Sequence, residues 1–211
     1  ARIDMYHALL TKNPIFMDRT RKIGVINAVD AVRWGLTGPT LRGSGPAIDL
    51  RKTQPYSGYE QYDFEVPTGT HGDVYDRYLV RMEEMRQSLR IVQQALDKLP
   101  LGPVRTDDRK FVPPPRAELG TSMEAVIHHF KHWTEGFQLP QGAVYSPVES
   151  PRGELGVYLE SDGGTHPHRV HWRTPSFVHL QALPVLARGH LVADLVGIIG
   201  SVDIVLGDSD R

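Results

Sequence analysis

The stretch DVYDRYLVRMEEMRQSLRIVQQALDKLP, residues 73–100, decides the fold. Within it Tyr75, Tyr78, Met82, Met85, Leu89, Val92, Leu96 and Leu99 recur in alternating steps of three and four, the period of one face of an α-helix. Asp73 is a suitable N-cap with Asp76 three residues on, while Pro100, Gly102 and Pro103 stop the helix. So regular an apolar seam calls for a helical partner. The opposite face, with Arg77, Arg81, Glu84, Gln87, Arg90 and Lys98, is polar enough for solvent or a subunit contact. A stripe of this kind is core material, and no chemistry is assigned to it.

Upstream, residues 2–11 and 28–36 read as short helices, the second closed by Gly35, Gly38 and Pro39. Residues 38–67 carry Pro39, Gly43, Gly45, Pro46, Pro55, Gly58 and Pro67, too many breakers for a regular element, and read as a long loop packed by Tyr56, Tyr59, Tyr62 and Phe64. Downstream, residues 104–117 form a proline-rich connector with Pro113, Pro114 and Pro115 in polyproline II conformation. A second helix opens at Thr121, whose hydroxyl and Glu124 form a capping box, and Met123, Val126, Ile127, Phe130, Trp133 and Phe137 make its buried face. Strands follow at 143–148, 155–160 and 169–172 with tight turns between them. A helix from about Leu191 to Ser201 and an extended tail complete the chain. The fold class is therefore α+β, mainly α: a helical bundle with one long helix and a small antiparallel β-meander near the C-terminus.

The chain of 211 residues is long enough for one substantial core, and residues 1–211 are expected to form a single domain. A net charge of −1, with basic and acidic residues interleaved, gives no drive toward nucleic acid. The absence of cysteine excludes disulfides, thiolate-ligated zinc and any iron–sulfur cluster held by this chain's thiolates. Its longest apolar run is broken by Asp194, two glycines and Asp203 before it reaches membrane-spanning length. Ala1 falls directly inside a helical pattern (Ile3, Met5, Tyr6, Leu9, Leu10), which reads as a truncated start with an upstream half absent.

Within that run Asp203 is the candidate functional group, because an ionised carboxylate in apolar surroundings is costly unless paired, hydrogen-bonded or protonated. Its candidate partner is Arg152, held between Pro151 and Gly153 on a turn, so that its guanidinium projects from stiff backbone. Glu149 and Glu154 are the ordinary alternative partners of that arginine. His128 and His132 share a helix face at the four-residue spacing of a metal pair, but His129 stands where the zinc-protease pattern requires glutamate, and no third ligand is fixed. His166, His168 and His171 read as a solvated hairpin edge. No serine sits in a nucleophile elbow, and Gly38, Gly43 and Gly45 do not match a dinucleotide-binding spacing.

Several separated blocks resemble one family: Leu50–Lys52 with Tyr56–Glu60; Asp76–Met82 with Glu84–Arg86; Thr121–Gly136; Arg152–Gly164; and the terminus from Gly207 to Arg211. Together they are similar, from end to end, to the C-terminal half of the 49 kDa type core subunit of proton-pumping NADH:quinone oxidoreductase, respiratory complex I. That resemblance implies a peripheral-arm subunit, part of an enzyme yet inactive alone, that shapes a quinone cavity beside the terminal iron–sulfur cluster of a neighbouring subunit. The implied site residues are Arg152, Asp203, Val205 and Leu206, with quinone as substrate and no cofactor bound by this chain itself. Other complex I subunits, including the terminal-cluster subunit and the 30 kDa type subunit, and the membrane arm are the implied partners, at the cytoplasmic face of a bacterial inner membrane.

The same family resembles large subunits of nickel–iron hydrogenases, whose metal is held by paired cysteines; zero cysteine here fits the quinone branch. Ser209 stands where many relatives carry an apolar residue, which bears on the packing of Arg211. Two other readings compete: a helical scaffold with a role in assembly alone, and a metal-dependent enzyme built on His128 and His132.

Overall fold

The computed structural model describes residues 2–210, which pack as two compact units. The first runs to Lys98 and takes up Ser146–Gly156 and what is described from Trp172 onward; the second comprises Leu99–Tyr145 and Val157–His171. The elements are mostly helices, with one three-stranded sheet in the order β1-β2-β3, where β1 is Gly142–Ser150, β2 Gly153–Ser161 and β3 Arg169–Arg173. This is the α+β, mainly α architecture with a small meander that the sequence predicts.

In the first unit the long helix spans Val74–Asp97, and the Asp73 carboxylate accepts from the Asp76 amide as its N-cap. Its apolar seam is buried only at the start. Val74, Tyr75, Val80 and Met82 are buried, whereas Met85, Leu89, Val92, Leu96 and Leu99 are exposed. The face expected to be polar and open is inverted at Arg77, which is wholly buried and donates to the Ser201 hydroxyl (3.0 Å) and to the carbonyls of Gly72 and Gly24 (2.9 Å each). Burial lowers its pKa to about 10, with Arg81 adding repulsion and Asp73 and Asp76 opposing.

The core beneath joins Ile23, Ile26, Ala31, Leu36 and Leu41 to Val74, Ala182, Leu186, Ile198 and Val202. Burying side chains such as Leu36 or Ile198 contributes about 1.5–3 kcal/mol each. Residues 2–11 are helical as expected, an α-helix (Arg2–Tyr6) passing into a π-helical turn (His7–Thr11). The predicted loop at 38–67 contains regular pieces after all: Gly38–Arg42, with Pro39 in its first turn, Leu50–Thr53 under an Asp49 cap, and a 3₁₀ turn at Tyr59–Gln61. Proline in a first turn costs no hydrogen bond, so the breaker starts a helix there. The C-terminal helix is Val192–Val202, and the tail is a further short helix, Leu206–Asp210, where an extended segment is expected.

In the second unit the helix is Met123–Thr134, capped by the Ser122 hydroxyl accepting from the Ala125 amide, one residue later than the box expected at Thr121. Ala125 is its one buried residue; Met123, Val126, Ile127, Phe130, Trp133 and Phe137, expected as a buried face, are exposed. Among the described residues no helix is long and apolar enough to cross a membrane.

Candidate functional site

The β1–β2 turn docks against the start of the Gly38–Arg42 helix, and glycine makes this approach feasible. Gly153 has φ +141°, and a Cβ on it would lie 2.4 Å from the Thr37 hydroxyl; one on Gly38 would lie 2.4 Å from the Gly153 Cα. The Thr37 hydroxyl accepts from the Glu154 amide at 3.0 Å and fixes the turn from the other side. Pinned in this way, the turn carries Arg152 to the end of the C-terminal helix, where Asp203 is the C-cap in a left-handed conformation (φ +58°). The Arg152 Nε lies 3.7 Å from the Asp203 Oδ2, with the two side chains 37% and 39% exposed.

The sequence thus brings together the two groups it singles out, in half-exposed surroundings and not in an apolar interior. The buried acid of the terminal helix is Asp194, which pairs with the Arg19 Nη2 at 2.9 Å and accepts from the Leu191 amide. Val205 and Leu206 are exposed. The alternative partners of Arg152 are engaged elsewhere, Glu149 with Arg42 and Glu154 with Arg173.

Beneath the pair lies a charged network centred on the wholly buried Arg42. Its Nη1 donates to the Glu149 Oε1 (2.7 Å) and the Ile48 carbonyl (2.8 Å), its Nε donates to the Glu84 Oε1 (2.8 Å), and its Nη2 lies 2.6 Å from that same oxygen. Arg51 grips Asp49 with two hydrogen bonds, of 3.0 and 2.6 Å. Burial works against the charge on Arg42, but Glu84 and Glu149 outweigh it and hold the guanidinium more firmly protonated than free arginine. Burial lifts the Glu84 carboxyl above the usual range, with Arg42 opposing in part. Arg81, on the long helix, is pushed down by burial, and Asp203 and Glu84 resist that shift.

These groups floor a cavity of about 820 Å³ whose walls include Ile3, Met85, Leu89, Val92, Ser150, Pro151 and Asp203. In the lining Arg42, Arg51 and Arg81 face Glu84, Glu149 and Asp203; Asp49 and Arg152 do not line the cavity but pair with Arg51 and Asp203, so the formal charge of the eight groups cancels. Above a neutral but strongly polar floor stands the bare half of the long helix seam. The shape suits an amphiphile with a polar head and an apolar body.

Of these groups the sequence singles out only Asp203, which lines the cavity, and Arg152, which reaches it through Asp203. Arg42 is marked by nothing except its setting between Leu41 and Gly43, where an arginine flanked by an apolar residue and glycines hints at burial; Glu84 and Arg81 look like the solvent face of the long helix.

The histidine pair belongs to the second unit, where His128 and His132 line a separate cavity of about 610 Å³ with Arg109, Lys110 and Lys131. The His132 Nε2 lies 2.8 Å from the Arg109 carbonyl and therefore donates to it, which removes that nitrogen as a metal donor. Among the described residues no three His, Asp or Glu side chains are grouped to hold a metal ion.

Fold and site together define a class: a mainly helical chain with a polar-floored apolar cavity and an uncovered helical seam, without metal-ligating clusters among the described residues. The particular family follows from sequence comparison. Residues 1–211 match the family described as respiratory-chain NADH dehydrogenase, 49 Kd subunit, and the chain belongs to it. It is 61% identical to the NADH-quinone oxidoreductase D-type subunit 2 of Roseiflexus sp. (strain RS-1) over 213 residues, covering all of this chain and 51% of that protein. It is 56% identical to the corresponding D-type subunit 2 of Chloroflexus aurantiacus, covering all of this chain and 52% of that protein. With the D-type NADH-quinone oxidoreductase subunit of the Wolbachia of Brugia malayi it shares 54% identity, over 99% of this chain and 54% of that protein. The chain spans about half the length of the curated relatives it matches.

Proposed function

We propose that this chain is part of a peripheral-arm subunit of a proton-translocating NADH:quinone oxidoreductase and that its large cavity receives a quinone. The observation that carries the reading is the cavity itself, in which Asp203, paired to Arg152, borders a polar floor directly beneath Met85, Leu89 and Val92. A quinone needs both: donors for its carbonyl oxygens and an apolar wall for its ring and tail. Family membership supports the same reading, because the matching relatives are named for quinone.

In this account Arg152 supplies fixed positive charge near the headgroup, and Asp203 sets the orientation of that guanidinium. Val205 and Leu206 extend the apolar border. These 211 residues contain no cysteine, so the thiolate ligands of a donor iron–sulfur cluster lie outside them, and the terminal-cluster subunit is the partner that would supply them. The 30 kDa type subunit and the membrane arm are further partners, at the cytoplasmic face of a bacterial inner membrane, and residues 1–211 as a whole serve as one part of the subunit.

Replacement of Arg152 or Asp203 by alanine in the intact assembly tests the reading. Quinone reductase turnover should fall while electron transfer from NADH to an artificial acceptor is unchanged. Unaltered quinone turnover in both variants would remove the pair from the site.

A further inference from the structure

One polar group in the cavity wall is left without a use. Arg81 sits where the buried part of the long helix gives way to the bare part, and it lines the large cavity. Its Nε is buried and has no acceptor among the described residues. Its remaining contacts are weak for a guanidinium: Nη1 to the Arg77 carbonyl at 3.2 Å and Nη2 to the Thr40 hydroxyl at 3.5 Å. The contrast with its neighbours is sharp, since Arg42 and Arg77 each satisfy their donors at 3.0 Å or less. A buried donor left without an acceptor is costly, so the cavity favours an occupant that brings an oxygen to it. The carboxylates do not fill that role: Glu84 is taken by Arg42, and Asp203, which lies in ion-pair range of Arg152 at 3.7 Å, acts on Arg81 through its charge without a hydrogen bond to it.

We propose that Arg81 donates a hydrogen bond to a carbonyl oxygen of the amphiphile held in this cavity. The inference rests on the quinone reading above and deepens it, adding to the Arg152–Asp203 pair a second cationic donor set on the opposite element of the site. Met85, Leu89 and Val92 continue from Arg81 along the same helix, so a ligand whose oxygen meets the guanidinium lays its apolar body along them. Because the bond is made to the bound substrate before any electron arrives, it acts on binding more than on the later steps.

The test uses the full-length subunit in the intact assembly, with decylubiquinone as probe and, as competitor, the dimethyl ether of its quinol form, a methylated analogue in which neither of the former carbonyl oxygens is a carbonyl. Arg81→Gln should raise the KM for decylubiquinone about tenfold or more while changing kcat little, as expected for one lost charge-assisted hydrogen bond. It should also abolish the preference of the site for the carbonyl-bearing probe over its methylated analogue. Arg81→Lys, which keeps the charge with fewer and differently placed donors, should fall between, and it decides the matter should the glutamine variant fail to assemble. Electron transfer to an artificial acceptor should be the same in all assembled forms. If both variants keep the wild-type KM and the wild-type preference, the role of Arg81 is overturned while the quinone reading stands. If decylubiquinone does not bind the wild-type assembly competitively at this cavity, the quinone reading falls and the inference falls with it.

Discussion

The two halves of the long helix carry one continuous pattern and meet opposite fates. From Val74 to Met82 the helix is embedded, and even a charged residue, Arg77, is drawn fully inside; from Met85 onward an equally regular apolar seam lies open. Periodicity tells which residues share a face, because side chains three and four apart point the same way. It does not tell what covers that face. In the first half the cover is the Ile23–Leu41 segment and the C-terminal helix, and the Ser201 hydroxyl together with the Gly24 and Gly72 carbonyls makes the burial of a guanidinium affordable. In the second half the apolar side chains border a cavity, which is the condition for holding an apolar ligand.

Substitutions in each half probe this difference. The largest effect is expected at Arg77→Met, which leaves two buried carbonyls and a serine hydroxyl without their donor and should cost about 3–5 kcal/mol in chemical denaturation. A value under 1 kcal/mol would mean that the first half is not held as described.

Next in size is a pH effect at the wholly buried His179, which lies within reach of the charge of Arg81 at the boundary between the halves. Its Nε2 accepts from the Thr37 amide at 3.0 Å, and burial, with Arg173 and Arg81 adding repulsion, lowers its pKa to about 4. Between about 6.5, the value in the unfolded chain, and about 4, protons bind the unfolded state more readily than the folded one. The contribution is therefore fully present above about pH 6.5 and is lost as pH falls toward 4, by at most about 3 kcal/mol. His179→Gln should flatten the stability profile across that window, measured as the difference from wild type.

A smaller stability effect, with a clear functional one, is expected at Gly153→Ala. The added Cβ forces the turn away from Thr37, so quinone turnover should drop severalfold through displacement of Arg152. Smallest of all, Leu89→Ser in the bare half should change stability by no more than about 0.5 kcal/mol, as surface substitutions do, while weakening quinone binding.

Much of the fold is legible in the sequence because local chemistry fixes it: the Asp73 cap, the breakers after Lys98, and the glycine turns of the meander. Boundaries slip where two residues compete for one role, as Thr121 and Ser122 do for the cap. The helix at Gly38–Arg42 is hidden by its own proline, which reads as a breaker and acts as a first-turn residue. The exposure of Met123, Phe130 and Trp133 is illegible for the same reason as that of Leu89: an apolar face announces a need for cover without saying whether the chain itself supplies it.

At the site, Arg152 stands out through its rigid turn and Asp203 through its apolar neighbours, and the structure sets them 3.7 Å apart. The Arg42, Glu84 and Glu149 network could not be read in advance. Its members come from three elements far apart in sequence, and each taken alone looks like a surface charge.

What occupies the cavity under the long helix decides whether this chain holds a quinone. Photolabelling of the intact, NADH-reduced assembly with a photoreactive quinone, followed by mapping of the modified peptides, tests this most directly. Labelling should concentrate on the peptides containing Met85–Val92 and Glu149–Arg152, and excess unlabelled quinone should suppress it. Suppressible labelling confined to other chains, with neither peptide modified, would mean that this cavity does not hold the quinone.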